Sequence, residues 1–313
     1  MAAALVFALS ACGGKNPGNG ETAEKANVSA LNDPTGWGLV KIKTDRAYAY
    51  NTEFCDTADE IIAKLKNGET DIATLPLDEA AKVYNETNGA VKALAVSSSG
   101  CFHILSSDRE IKTLADLSGR KLYISETGNL ERRTLDYLLG KTEFEDGKGP
   151  EIITLGSDEE VAAKALEEGS DTYALPVLYA AKVLAEDTGV GQVISLKREW
   201  DILHETSFTL GIILVRAEYA ENHPDMIDSL RTFADVSLNY VADNTTAGKE
   251  LLDEGIFEDS TVAKKIIPGC YFGYIDGEEM KASVSLCLSE LWSEDASAIG
   301  GKLPGDDFYM PAG

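Results

Sequence analysis

The sequence predicts an α/β protein of two lobes, each a mixed sheet flanked by helices, joined by two crossing strands. Three observations predict it. The run Asp71-Ile72-Ala73-Thr74-Leu75-Pro76 returns as Asp171-Thr172-Tyr173-Ala174-Leu175-Pro176, and the helices after it share Ala80/Ala180, Ala81/Ala181, Lys82/Lys182, Val83/Val183 and Glu86/Glu186. Each copy reads helix, Gly (Gly68, Gly169), Asp, short apolar strand, Leu-Pro, helix. A strand, Thr-Gly turn, helix order also occurs twice, at Thr35-Gly36 and at Thr127-Gly128. Two such units are too few for a solenoid but suit two like-built lobes, and 313 residues leave room for both.

The elements follow in order. Val28 to Leu31 is a short strand, 32–38 a turn, and Leu39 opens a short helix. Ala47 to Tyr50 is a strand. Ala58, Ile61, Ile62 and Leu65 have helical spacing. After the first copy, Val91 to Val96 is a strand that Ser97-Ser98-Ser99-Gly100 breaks. Phe102 to Leu105 is the next strand. Thr113 caps a helical turn, with Asp116 at the capping-box position. Lys121 to Ile124, Leu130 to Leu139, Ile152 to Leu155 and Glu159 to Glu168 alternate strand and helix into the second copy. Val193 to Leu196 is a strand, Leu203 to Ser207 is irregular, and Phe208 to Val215 is strongly β-like. Helices dominate from Pro224, and Pro304-Gly305 ends the ordered body. Crossings near Ser97 to Cys101 and His204 to Ser207 give a first lobe of 28–98 and 206–313 and a second of 99–205. Such an interrupted domain can hinge.

Composition narrows the function. Hydrophobic residues are 44% and charged residues 26%, as in ordinary globular proteins. Acidic residues outnumber basic ones 53 to 28, for a net charge of −25. That opposes nucleic acid, whose phosphates need a basic surface, and anionic lipid headgroups. An anionic ligand stays possible where N–H donors cluster locally. Cys55, Cys101, Cys270 and Cys287 allow three pairings, and sequence does not choose among them. With no Cys-x-x-Cys pair and with His103, His204 and His223 scattered, no metal site is expected. No nucleophile elbow, phosphate loop or His-Glu-x-x-His helix is present, so no catalytic residue and no cofactor are nominated.

The apolar run Ala2 to Ala11 before Cys12-Gly13-Gly14 resembles the end of a bacterial lipoprotein signal, with Leu9-Ser10-Ala11-Cys12 as the lipobox. The resemblance implies lipidation at Cys12, a signal segment of 1–12, and a membrane anchor outside the cytoplasm. The run is too short to span a bilayer. Residues 13–27 read as a solvated tether.

Further stretches carry a wider resemblance. Cys12, Pro34-Thr35-Gly36, Ile111 to Lys121, Asp171 to Pro176 and Ile299-Gly300-Gly301-Lys302-Leu303-Pro304 resemble the type II periplasmic-binding fold. More narrowly, they are similar to the solute-binding lipoproteins of nitrate, sulfonate, taurine and thiamine-precursor importers. The resemblance implies a monomer that captures a small polar or heteroaromatic solute and delivers it to an ABC permease and its ATPase. It also implies that the Thr-Gly turns and Leu-Pro helix starts face a shared cleft. The nominated ligand contacts are Thr35, Gly36, Trp37, Leu75 and Pro76 on the first lobe. On the second they are Thr127, Gly128, Asn129, Tyr173 and Pro176. Ser97, Ser98 and Ser99 sit at the crossing. Trp37 reads equally as a stacking wall or a core plug. Arg132 and Arg133 read as a solvated helix face, and Trp200, His204, Tyr271, Phe272 and Tyr274 as structural. The rival readings are an enzyme of thiamine-precursor or menaquinone metabolism, and a sensor lipoprotein without transport.

Overall fold

The structure is a computed structural model that describes residues 25–45, 50–100, 102–126, 130–243, 247–257, 260–293 and 295–313. Cys12, Ala47 to Ala49, Cys101, Thr127, Gly128 and Asn129 lie outside the described residues. The chain opens with β1 (Ala26–Leu31), α1 (Val40–Thr44), β2 (Tyr50–Cys55) and α2 (Ala58–Asn67). The first copy supplies β3 (Ile72–Pro76) and α3 (Leu77–Glu86), and β4 (Val91–Ser98) follows. The middle holds β5 (Phe102–Ser106), β6 (Lys121–Ser125), α4 (Leu130–Lys141), β7 (Glu151–Leu155) and α5 (Asp158–Glu168). The second copy is β8 (Thr172–Pro176) and α6 (Val177–Ala185), before β9 (Gly191–Ser195) and α7 (Leu196–Leu203). Then come β10 (Gly211–Arg216), α8 (Ala217–Asn222), α9 (Pro224–Asp243), α10 (Ala247–Asp253), α11 (Ser260–Cys270), β11 (Phe272–Ile275) and α12 (Gly277–Trp292).

Two mixed sheets result. The first has the order β11-β4-β10-β3-β1-β2, the second β7-β6-β8-β5-β9. In each, the repeat strand lies parallel to one neighbour and antiparallel to the other: β3 beside β1 and β10, β8 beside β6 and β5. The helices before the two copies are bounded alike. The Thr57 side chain accepts from Glu60 N at 3.3 Å and the Ser157 side chain from Glu160 N at 3.2 Å. Gly68 at φ 73° and Gly169 at φ 61° close them in the left-handed region, which glycine enters without Cβ strain. The capping box at Thr113 forms as predicted, with Asp116 Oδ2 accepting from Thr113 N at 2.9 Å.

Element bounds shift in places, β2 running from Tyr50 to Cys55 and β10 starting at Gly211, and four further features differ from the sequence reading. Strand β4 runs two residues into the serine run, ending after Ser98, which is paired on both sides, with Gly211 and Phe272. Leu196 belongs to α7, whose Leu196 and Trp200, one turn apart, turn inward. β11 is a short edge strand whose pairing partner is the distant β4. The chain stays packed beyond Pro304-Gly305: Phe308 is fully buried and Met310 N donates to Ala93 O at 2.9 Å.

One apolar core covers the first sheet and continues into one face of the second, through Ile104, Ile124, Ala174, Ile194 and Trp200. A separate core under α5 and α6 holds Leu105, Tyr123, Val161, Tyr173 and Leu175. The C-terminal segment also leans on helices of the second sheet. α11 packs along α6 so closely that a Cβ on Gly269 would meet Val177 Cγ2 at 2.8 Å. α12 meets α4, where Tyr137 donates to Glu290 at 2.7 Å and Arg133 to Leu291 O at 3.1 Å. Cys55, Cys270 and Cys287 are buried free thiols. No helix among the described residues is long and apolar enough to cross a membrane.

Candidate functional site

The candidate site is built from the carboxyl ends of β1, β3 and β4, where open α/β sheets hold their ligands. After β1 the chain turns through Asp33. Its Oδ1 accepts from Thr35 N at 2.7 Å and Thr35 Oγ1 at 2.5 Å. Gly36 then passes so close to β1 that a Cβ would fall 2.2 Å from Leu31 O and 2.7 Å from Thr74 Oγ1. Only glycine fits that approach. Ser97 Oγ donates to Thr35 O at 2.8 Å, tying the turn to β4. Gly211 completes the edge: a Cβ there would meet Ser97 Oγ at 2.6 Å, Ser98 Oγ at 2.7 Å and Thr35 Cα at 2.9 Å. Gly211 pairs in register with Pro76 on one side and Ser98 on the other. Thr35, Gly36, Leu75, Pro76, Ser97 and Ser98 are therefore brought together. Ser99 N bonds Tyr271 O at 3.1 Å and adjoins them.

The second sheet repeats the geometry. Pro76 (φ −56°, ψ 152°) and Pro176 (φ −57°, ψ 152°) have one backbone conformation, and each is the last residue before its helix. Each sheet edge thus carries a helix start; at the first, the Leu77 amide donates to Leu210 O at 2.9 Å. Beside Pro176, Phe102 pairs where Gly211 pairs with Pro76. His103 follows, set between Leu175 and Ser195. Its ring is buried, neither nitrogen has a hydrogen-bond partner, and Nε2 lies 2.7 Å from where a Cβ of Gly269 would sit. Burial holds its pKa down to about 4, with the nearby Gly269 backbone opposing. Tyr271, beyond Gly269 and Cys270, reaches across and donates to Ser195 Oγ at 3.2 Å.

Two nominated residues stand apart from these edges. The Trp37 ring is 3% exposed, lies edge-on to Phe257 with centroids 4.8 Å apart, and donates Nε1 to Asn32 Oδ1 at 3.0 Å. It backs the Thr35-Gly36 turn from within the core. Tyr173 lies three residues, roughly 10 Å, upstream of Pro176 along its strand. It stacks on Tyr123 at 5.4 Å inside the separate core, and burial pushes its hydroxyl up to about 12. Arg132 and Arg133 are engaged: Arg132 with Asp136 at 3.0 Å, Arg133 with Leu291 O at 3.1 Å and with the Trp292 ring.

Sequence reasoning missed Asp33, Asp78, His103 and Gly211. Asp33 and Asp78, in the first turn of α3, belong to the first edge, and both carboxyls are raised above the ordinary range. Burial is the larger cause in each, with the Glu79 charge adding at Asp78 and hydrogen bonds from Thr35 opposing at Asp33. The available signals were position alone: Asp33 before the Thr-Gly turn and Asp78 after Leu-Pro.

The architecture is the type II periplasmic-binding fold. The chain is similar in structure to an ABC transporter protein from Parabacteroides distasonis, with TM-score 0.74 and 19% identity over 92% of this chain and 99% of that one. It is similar to the periplasmic aliphatic sulphonate-binding protein SsuA of Escherichia coli, with TM-score 0.66 and 16% identity over 92% and 93%. The alkanesulfonate-binding SsuA of Xanthomonas axonopodis pv. citri, bound to MOPS, gives TM-score 0.58 and 14% identity over 90% and 95%. No protein-family profile matches the chain, and no curated protein sequence matches it.

Proposed function

We propose that the chain is the extracytoplasmic solute-binding component of an ATP-driven importer. Residues 28–98 and 206–313 form one lobe and 99–205 the other. Cys12 carries the lipid anchor and 13–27 the tether. The protein acts as a monomer and hands a small polar or heteroaromatic solute to a permease and its ATPase. The observation that carries this reading is the matched pair of Leu-Pro helix starts, one per sheet, with Thr35, Ser97, Ser98 and Gly211 gathered beside the first. The sulfonate-binding neighbours of the same fold support it.

In this reading Thr35, Gly36, Leu75, Pro76, Ser97, Ser98 and Ser99 line the first wall of the cleft. Thr127, Gly128, Asn129 and Pro176 line the second. Trp37 and Tyr173 hold those walls from behind. Closure of the lobes follows from the solute's tighter grip on the closed state, and shifts populations by that difference alone. A micromolar affinity, about −8 kcal/mol, suffices for capture. No observation favours the enzymatic alternative.

Native mass spectrometry of the purified protein tests the role. The expected result is a retained small molecule that denaturation releases. The reading fails if the refolded, stripped protein is stabilised by no solute in a broad metabolite screen.

A further inference from the structure

The edge of the second sheet is covered by chain that leads into the first. Pro268 to Tyr271, the last turn of α11 and the residue after it, cross that edge just before β11 pairs with β4. Gly269 lies against Val177, the first residue of α6, and against His103. A Cβ there would meet Val177 Cγ2 at 2.8 Å and His103 Nε2 at 2.7 Å. Tyr271 then bridges the two edges. Its backbone carbonyl accepts from Ser99 N at 3.1 Å on the first, and its hydroxyl donates to Ser195 Oγ at 3.2 Å on the second. Ser195 is the register partner of His103.

This segment is strained and lightly held. Pro268 has no amide hydrogen to give the last helical turn. Tyr271 has φ 50°, in the left-handed region that a residue with a Cβ enters unfavourably; among the described non-glycine residues only Asn88 shares it. Beneath the segment, the His103 ring is 1% exposed and neither nitrogen has a hydrogen-bond partner. Its donor and its acceptor have both lost water without replacement. Buried polar groups are nearly always paired, so two orphaned nitrogens on one ring call for a role. Against this strain stand the Gly269 packing, one neutral hydrogen bond to Ser195, and the Lys197 ammonium. That ammonium lies 5.3 Å from the Tyr271 ring centroid and is already paired with Asp201.

We infer that Pro268–Tyr271 is a movable strap over the second edge, and that its lifting opens His103 to the cleft. This rests on the proposed cleft and gives its second wall a gate. Glycine at 269 lets the strap seat against the imidazole. Lifting relaxes the Tyr271 backbone and returns both ring nitrogens to hydrogen-bonding surroundings. It bares one donor and one acceptor beside Phe102 and Pro176.

The test is diethylpyrocarbonate labelling of the full chain, with each histidine followed by peptide mass spectrometry. The half-buried His223 serves as the internal reference. In the unsubstituted chain His103 should label at least tenfold more slowly than His223. Tyr271→Phe removes the bond to Ser195 and keeps the ring; it should speed His103 labelling about fivefold at an unchanged urea midpoint. Gly269→Ala places a methyl against Nε2 and Cγ2, so the strap cannot seat. It should speed labelling at least tenfold, by more than its loss of global stability accounts for. A His103 that labels as fast as His223 in the unsubstituted chain is not covered, and overturns the inference. So does a His103 that stays unlabelled in both variants, or whose labelling rises only in step with global unfolding, as a fixed core residue would. Compaction in solution scattering reports the cleft separately: compaction with an unlabelled His103 leaves the cleft standing and removes the gate.

Discussion

The two Leu-Pro copies have the same backbone and different chemistry. Pro76 and Pro176 agree in φ and ψ within a degree, and Ala80, Ala81, Ala180 and Ala181 are all buried against their sheets. The residues after the prolines diverge. The first copy has Asp78-Glu79, the second Leu178-Tyr179. The repeated lysine follows its local partner: Lys82 pairs with Glu79 at 3.1 Å, whereas Lys182 lies over the Tyr179 ring at 5.0 Å. Repetition therefore preserves what the fold needs, a strand end and a helix start. It leaves free the positions that a solute would meet. The first edge is acidic and hydroxylated; the second presents Phe102 and a neutral His103.

The largest effect should come from the pillar of the first edge. Trp37→Ala deletes a buried indole and should cost about 3–5 kcal/mol, read by urea denaturation. A smaller loss of stability with abolished binding would return Trp37 to the site surface. Next is the buried imidazole of the second edge. His103 is held near 4 in the folded chain and titrates near 6.5 unfolded. Below about pH 6.5 the unfolded state takes up a proton that the native state refuses, so stability falls as pH drops toward 4. That loss approaches roughly 3 kcal/mol. Asp33 and Asp78, raised in the folded state, act in the opposite sense: their contribution is largest at low pH and fades as pH rises through their folded values. His103→Leu should flatten the acid limb of the melting curve. An unchanged limb would show that the ring is not buried neutral.

The third contrast is between letters that match. Asp71 accepts from Arg216 at 2.8 Å and from Asn27 N at 3.0 Å, tying three strands together at the end of the sheet opposite the site. Asp171 has no such anchor among the described residues, and it is more exposed. Asp71→Ala should cost about 2 kcal/mol and Asp171→Ala under about 0.5 kcal/mol. Equal losses would mean that the aspartate is kept for the turn and not for the ion pair.

The same contrast shows what sequence could supply. The helix start at Thr113 and the stops at Gly68 and Gly169 were readable because caps act within four residues. The repeat revealed both sheets because it recurs in one-dimensional order. Features set by distant partners were not readable. Ser98 looked like a loop residue until paired with Gly211 and Phe272. The tail looked finished at Gly305 until docked by Phe308 on Tyr84, at 4.9 Å between rings. Tyr173 sits in the right strand but too far from its end, a distance that only the register fixes. Asp33 and Asp78 look like ordinary turn and helix-start acids; the burial that raises both carboxyls comes from packing, which no local pattern encodes.

The central claim is that a guest is enclosed between the two Leu-Pro edges. Solution scattering on one sample, with and without a solute whose binding calorimetry has established, tests it directly. The account predicts a smaller radius of gyration in the bound state. An unchanged radius at full occupancy would contradict it.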